Sequence, residues 1–104
     1  MINIDRYKVR CYDRAMEFSW DENKRRSNLD KHGFDFRDIK YVFAGQTFTF
    51  EDVRYDYGEQ RFITLGVLQG RFVAIAHTES NGKFRIISLR KGSKHEQRIF
   101  SDNI

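Results

Sequence analysis

The chain has 104 residues, enough for one domain around a single hydrophobic core. Ten phenylalanines can give so small a core a large buried area. A formal net charge of +4 favours polyanionic partners if the basic side chains gather on one face, although dispersed charge gives the same total. The single cysteine, Cys11, excludes an intrachain disulfide, and no stretch reads as a membrane span or signal peptide, so we expect a cytoplasmic protein.

Residues 1–15 differ in pattern from the rest of the chain. They alternate weakly between apolar and polar residues and carry no helix caps, which predicts an N-terminal extension. It is either a flexible, poorly anchored arm or an added edge strand. Met16 could then be the natural start of a single α+β domain over residues 16–104.

Two helices are predicted after a short strand at 18–20. Asp21 caps a first helix that ends near Gly33, and its apolar content is thin. Asp35 caps a second helix that closes at Gly45. Apolar residues recur in this second helix at helical spacing and predict a buried stripe of Phe36, Ile39, Val42 and Phe43.

After Gly45 the hydrophobic period changes to two. The pattern predicts an antiparallel meander over residues 47–50, 61–68, 71–78 and 83–89, with tight turns at Gln69-Gly70 and Asn81-Gly82. Ser93 and Glu96 form a capping box that opens a C-terminal helix. We therefore expect an α+β fold with an antiparallel meander sheet of about four to five strands. Two N-terminal helices would pack on one face, and the other face would stay partly open for a ligand.

Three runs of residues carry a family resemblance. They are Trp20-Asp21-Glu22-Asn23-Lys24 through Asn28 to Lys31-His32-Gly33, then Asp56-Tyr57-Gly58-Glu59 to Arg61-Phe62, and finally Ile86-Ile87-Ser88-Leu89-Arg90-Lys91. Together they resemble the BrnT-type toxins of bacterial type II toxin–antitoxin systems over about residues 16–100. Two positions depart from that pattern: Leu89 stands where a small residue is common, and Gly92 where alanine is frequent.

The resemblance implies a RelE-like fold and an endoribonuclease that works without a metal or other cofactor and inhibits translation. It also implies a cognate antitoxin with a ribbon-helix-helix DNA-binding region, in a hetero-oligomer that can be a heterotetramer. Two functions of other classes remain open on the sequence. One is a nucleic-acid-binding module without catalysis, and the other is a protein-interaction module that uses the open sheet face.

Cleavage without a metal requires cations for the phosphate, and two arginines are placed to supply them. Arg61 opens one strand and Arg90 closes another, on positions that recur in the resemblance. Antiparallel neighbours can bring strand ends together, and the arginine fork can grip two phosphate oxygens. The structural alternative is that both arginines form ion pairs with nearby acidic residues, namely Glu51, Asp52, Asp56 or Glu59.

The same reaction requires a base and an acid. Glu59 lies two residues before Arg61, so along a strand both side chains face the same way. Glu59 is then either a general base beside the phosphate-binding Arg61 or the partner of Arg61 in a salt bridge. His32 is the last residue of the predicted first helix. It is either a general acid or a helix C-terminal cap without a catalytic role. His77 shares strand parity with Val73 and Ile75, so we expect it to be a core histidine.

A second group is assigned to RNA binding. Tyr57, and Tyr55 in the same connection, could stack on bases. Arg85 differs from Arg90 in strand parity, so the two should point to opposite faces, and it is counted as RNA-binding rather than catalytic. Lys31 and Lys91, from the motif runs, complete the group. The run Lys24-Arg25-Arg26 is either solvated or follows a nucleic-acid backbone.

Overall fold

The computed structural model describes residues 8–10 and 16–104. Its strands are β1 (Lys8–Arg10), β2 (Glu17–Ser19), β3 (Thr47–Glu51), β4 (Phe62–Leu68), β5 (Arg71–Ser80) and β6 (Lys83–Lys91). Its helices are α1 (Glu22–His32), α2 (Ile39–Ala44) and α3 (Lys94–Asn103), and a 3₁₀ turn at Phe36–Asp38 leads into α2. The strands form one six-stranded sheet in the order β1-β3-β4-β5-β6-β2. The predicted α+β class is confirmed.

The sheet is mixed, so the prediction of an antiparallel meander was wrong at one edge. Strands β3 to β6 form the predicted meander, but β2 pairs with β6 in parallel, from Glu17↔Lys83 to Ser19↔Arg85. Parallel neighbours need a long crossover, which the helices and the intervening strands supply here. No short turn connects β2 to its partner, so local sequence carries no signal for the direction of this pair.

Part of the predicted N-terminal extension lies at the opposite edge of the sheet. Residues Lys8–Arg10 pair antiparallel with Thr47–Thr49 of β3. The rest of that prediction falls on residues 1–7 and 11–15, outside the described residues.

Helices pack on both faces of the sheet: the predicted packing of helices on one face holds for α2, while α3 packs on the other face and leaves part of it exposed. The first face carries α2 and the 3₁₀ turn, and the second face carries α3. The reason lies in the central strands: six of the seven residues of β4 are buried, so both sides need cover. The first core contains Phe36, Ile39, Val42, Phe43, Val73, Ile75, Phe84 and Leu89, and the second contains Phe48, Ile63, Leu65, Ala74 and Phe100.

Helix α1 docks through polar side chains. Its two buried residues are Arg25 and Asn28. Arg25 donates to Glu22 Oε1 from Nε at 2.6 Å and to Asp35 Oδ2 from Nη1 at 3.2 Å, and so joins α1 to the 3₁₀ turn. Arg25 is therefore a structural residue, contrary to the solvated or backbone-tracking role expected of its basic run.

Asn28 completes the edge of β6 beyond the end of β2. Its Nδ2 donates to the Leu89 carbonyl at 2.7 Å and to the Phe34 carbonyl at 3.2 Å, while its Oδ1 accepts from the Leu89 N–H at 3.1 Å. The amide thus pairs with the Leu89 backbone as a neighbouring strand would. It links two of the motif runs across 61 residues of sequence.

The two departures from the family pattern have structural explanations. Leu89 is fully buried in the first core, so its larger side chain fills the core. At Gly92, an added Cβ would lie 2.1 Å from Cε2 of the Phe72 ring. Glycine therefore lets Phe72 pack close to the chain where β6 passes into α3.

We predict that Asn28→Ala lowers the free energy of unfolding by about 2 kcal/mol, because it leaves the N–H and C=O of buried Leu89 without their partner. Urea unfolding at neutral pH measures the change. Asn23→Ala, at an exposed site of the same helix, is the matched control and should cost less than about 0.5 kcal/mol. Equal losses in both variants would show that the amide pairing contributes nothing.

Candidate functional site

An irregularity in β6 decides which arginines share a face. The pairing with β5 steps from Ala76↔Ser88 to His77↔Ile86, so Ile87 is an extra residue in a β-bulge. A bulge shifts the alternation of side chains by one residue. Arg85 pairs with Thr78 and Arg90 with Ala74, four residues apart on regular β5, so both arginines project from the second face. The prediction that they point to opposite faces was wrong because parity counting assumes an unbroken strand.

Four side chains meet on the second face, next to the loop that joins β3 to β4; we call them the Glu59 cluster. Nη2 of Arg85 donates to Glu59 Oε1 at 2.8 Å, and Nε of Arg61 lies 3.8 Å from Glu59 Oε2. The Arg61 guanidinium carbon lies 4.2 Å from the centroid of the Tyr57 ring. The cluster therefore comprises Tyr57, Glu59, Arg61 and Arg85.

The cluster keeps unused hydrogen-bonding capacity for an anion. Its carboxylate is matched by two guanidinium groups, which leaves one positive charge in excess. Each guanidinium carries five N–H donors. In the described part of the chain Arg85 donates only from Nη2, and neither Nη of Arg61 donates to a protein group. The side chains are 28% (Arg61) to 44% (Arg85) exposed, so a ligand can reach them.

A buried carboxylate holds the loop in place. Asp52 Oδ1 accepts from Arg54 Nε at 2.8 Å, and Asp52 Oδ2 accepts from the Tyr57 hydroxyl at 2.8 Å. The Asp52 N–H donates to the Arg61 carbonyl at 2.8 Å and closes the base of the loop. Asp52 thus fixes Tyr57, whose ring in turn lies against the Arg61 guanidinium.

These contacts change two pKa values in opposite directions. The hydrogen bonds from Arg54, helped by the Tyr57 hydroxyl, outweigh burial and lower the pKa of Asp52 to about 2. Burial and the hydrogen bond to Asp52 raise the pKa of the Tyr57 phenol. At neutral pH the loop therefore holds a carboxylate that accepts and a phenol that donates.

The sequence named Asp52 only as a possible ion-pair partner of Arg61 or Arg90 and missed its role as the anchor of the loop. A signal was present, because Asp52 also accepts from the Arg54 N–H at 3.2 Å, the side-chain turn that aspartate favours after a strand. Around this anchor, residues 51–57 and 59–61 line an open cleft of about 490 Å³.

Arg90 is on the same face but does not contact the cluster. Its Nη1 and Nη2 donate to the two carboxylate oxygens of Glu96 in α3, at 2.8 and 3.0 Å. An ion-pair role was one of the two predicted alternatives, although with other acids. Burial raises the pKa of Glu96, but the hydrogen bonds from Arg90 and Ser93 outweigh it and the pKa falls. Four residues of regular β5 separate the positions opposite Arg85 and Arg90, about 13 Å.

The remaining predicted residues are spread over the domain. His32 is the last residue of α1, is half-buried, and makes no contact with the Glu59 cluster among the described residues. Lys31 and Lys91 are exposed. His77 is fully buried, with Nε2 2.7 Å from Thr64 Oγ1, which confirms it as a core histidine.

The described residues hold neither a candidate metal site nor a membrane-spanning helix. They contain no group of three or more His, Cys, Asp or Glu side chains that could hold a metal ion. They also contain no helix long and apolar enough to cross a membrane.

The structure is an α+β domain that carries two arginines, a carboxylate and a tyrosine together on one face of its sheet. A family model described as "Ribonuclease toxin, BrnT, of type II toxin-antitoxin system" matches residues 20–96. The chain therefore belongs to the BrnT family of ribonuclease toxins, which confirms the resemblance seen in the motif runs. A search of curated proteins finds no significant match.

We predict that Asp52→Asn lowers the free energy of unfolding by about 2 kcal/mol at pH 7, since the charged carboxylate holds the loop. A lowered pKa stabilises the fold above the ordinary value of 3.8, and this contribution is lost as the pH falls through about 2. The difference between wild type and variant should therefore shrink below pH 4.

Denaturant titrations at several pH values between 7 and 2 measure this difference. Asp56→Asn is the matched control, because Asp56 is an exposed carboxylate in the same loop. A difference between wild type and Asp52→Asn that does not change with pH would contradict the assignment.

Proposed function

We propose that this protein is an endoribonuclease that cleaves RNA without a divalent metal, and that Glu59, Arg61 and Arg85 form its reaction centre. The family match supports a ribonuclease toxin in general terms. The observation that carries the finer proposal is the carboxylate of Glu59 held between two guanidinium groups. This arrangement places a proton acceptor beside two phosphate-binding groups.

In the proposed reaction Glu59 accepts the proton of a ribose 2′-hydroxyl. The 2′-oxygen then bonds to the adjacent phosphorus, and the bond from phosphorus to the 5′-oxygen breaks. Arg61 and Arg85 hold the non-bridging oxygens, where negative charge accumulates in the transition state. The products are a 2′,3′-cyclic phosphate and a 5′-hydroxyl.

The leaving 5′-oxygen needs a proton, and no histidine contacts the cluster in the described part of the chain. We assign that proton to water, which reaches the partly exposed side chains. His32, predicted as a general acid, then has no part in proton transfer. We propose that it joins Lys31 and Lys91 as a distant contact for the RNA backbone.

The cellular role follows the family. A type II system pairs each toxin with an antitoxin. We propose that this antitoxin carries a ribbon-helix-helix DNA-binding region and joins the toxin in a hetero-oligomer such as a heterotetramer. The free toxin would act in the cytoplasm and inhibit translation by cleaving RNA.

We predict that the purified protein cleaves a long RNA in excess EDTA, and that Arg61→Ala and Glu59→Gln each reduce the cleavage rate by about 100-fold or more. Arg61→Lys should fall between wild type and Arg61→Ala, because lysine keeps the charge but loses the two-pronged donor. Arg98→Ala, at an exposed position on α3, is the control and should cleave as wild type does.

Full cleavage by a folded Arg61→Ala variant would remove Arg61 from the reaction centre. RNA left intact by the wild type, together with steeply salt-dependent binding, would favour a binding module without catalysis.

Arg90 needs a test that separates catalysis from its ion pair with Glu96. We propose that Arg90, about 13 Å from Arg85 on the same face, binds another phosphate of the RNA strand. Arg90→Ala should therefore reduce cleavage, whereas Glu96→Gln, which weakens the same ion pair but keeps the guanidinium, should retain it. Thermal unfolding of both variants reports the structural cost, which should be similar. If both variants cleave at the wild-type rate, the Arg90 guanidinium has only a structural role.

A further inference from the structure

The most exposed aromatic side chain beside the Glu59 cluster is unused by the proposed reaction. Tyr55 lies in the loop between β3 and β4, in the lining of the cleft, and is 69% exposed. Aromatic rings are normally buried, because each removes a large apolar area from water. A ring that stays exposed next to a cationic cluster is suited to contact a ligand.

The surroundings of Tyr55 hold its ring in a defined orientation. The Arg54 guanidinium lies over the ring, with its carbon 5.9 Å from the centroid, and is itself held by Asp52. The Tyr57 ring meets Tyr55 edge to face at 5.8 Å and an interplanar angle of 74°. A platform fixed in this way loses little side-chain freedom when a flat group stacks on it.

The platform is close to the proposed phosphate site. Tyr55 contacts Tyr57, and the Tyr57 ring lies 4.2 Å from the Arg61 guanidinium carbon. A base on Tyr55 and a phosphate on Arg61 can therefore belong to neighbouring nucleotides of one strand. Alternating aromatic rings and cations are the arrangement that proteins use to bind single strands.

From this juxtaposition we infer that the cleft selects unpaired RNA, with Tyr55 as the platform on which a base next to the bound phosphate stacks. In a duplex both faces of each base are covered by neighbouring pairs, so Tyr55 has no free face to contact. The inference rests on the proposed function, because it assigns the substrate class of the same site. The exposed ring could also serve a protein partner, and the test separates the two.

The test measures binding of the wild-type full chain to 2′-O-methyl RNA, which lacks the reactive hydroxyl and cannot be cleaved. Fluorescence anisotropy in EDTA compares an unstructured 12-nucleotide strand with its duplex. We predict that Tyr55→Ala weakens binding of the single strand about tenfold, within the range for loss of one stacked base, and leaves duplex binding unchanged. Tyr55→Phe keeps the ring and should bind as wild type does.

Tyr41→Ala is the matched control, because Tyr41 is 59% exposed but lies on α2, outside the cleft. Unchanged single-strand affinity in Tyr55→Ala, or an equal loss on strand and duplex, overturns the inference and leaves the ring for a protein partner. Cleavage by the wild type is measured separately on ordinary RNA. If the wild type cleaves RNA but does not bind the single strand selectively, only the role of Tyr55 as a platform is refuted. If it binds the single strand selectively but does not cleave RNA, only the proposed catalytic function is refuted.

Discussion

The amide of Asn28, paired with the backbone of Leu89, joins α1 to the edge of β6 that β2 leaves uncovered. Strand β2 covers only the first three residues of β6, and Asn28 supplies the donor and acceptor that a longer strand would have supplied, at 2.7 and 3.1 Å. Buried backbone groups left unpaired are costly. These bonds fix the Leu89 backbone of β6, the strand that carries both Arg85 and Arg90.

Two local features bring the residues of the candidate site together on the sheet. The β-bulge at Ile87 rotates the start of β6 so that Arg85 faces the same side as Arg90 and α3. Asp52 closes the loop before β4 and fixes Tyr57 against Arg61. The bulge orients Arg85, the loop ends at Arg61, and Glu59 contacts both arginines. Neither feature belongs to the core, so the same sheet could support a different site.

Several basic side chains of the domain are paired with acidic ones, so the net charge of +4 does not by itself locate a site. Arg90 is held by Glu96, and Arg25 is buried between Glu22 and Asp35. Arg61 and Arg85 differ because they share one carboxylate and keep donors unused. The proposed function assigns an RNA phosphate to them as their anion, in line with the family of ribonuclease toxins. Where cations exceed anions locally, rather than over the whole chain, is what indicates the site.

The sequence by itself determined the local structure. Asp21 and Ser93 cap their helices, Gly33 ends α1 in the left-handed region, and the turns at 69–70 and 81–82 form as predicted, because each depends on neighbouring residues alone. The motif runs also identified the family.

Only the tertiary structure decided the parallel pairing of β2, the placement of α3 on the second face, the bulge, and the partners of Asp52 and Arg90. These depend on contacts between residues that compete for several possible partners, and the outcome follows from packing the whole sheet. Counting alternate residues along β6 gives the wrong face for Arg85, because the bulge at Ile87 is visible only in the register between β6 and β5. The sequence therefore identified the four residues of the Glu59 cluster as candidates, but it did not predict that they lie together.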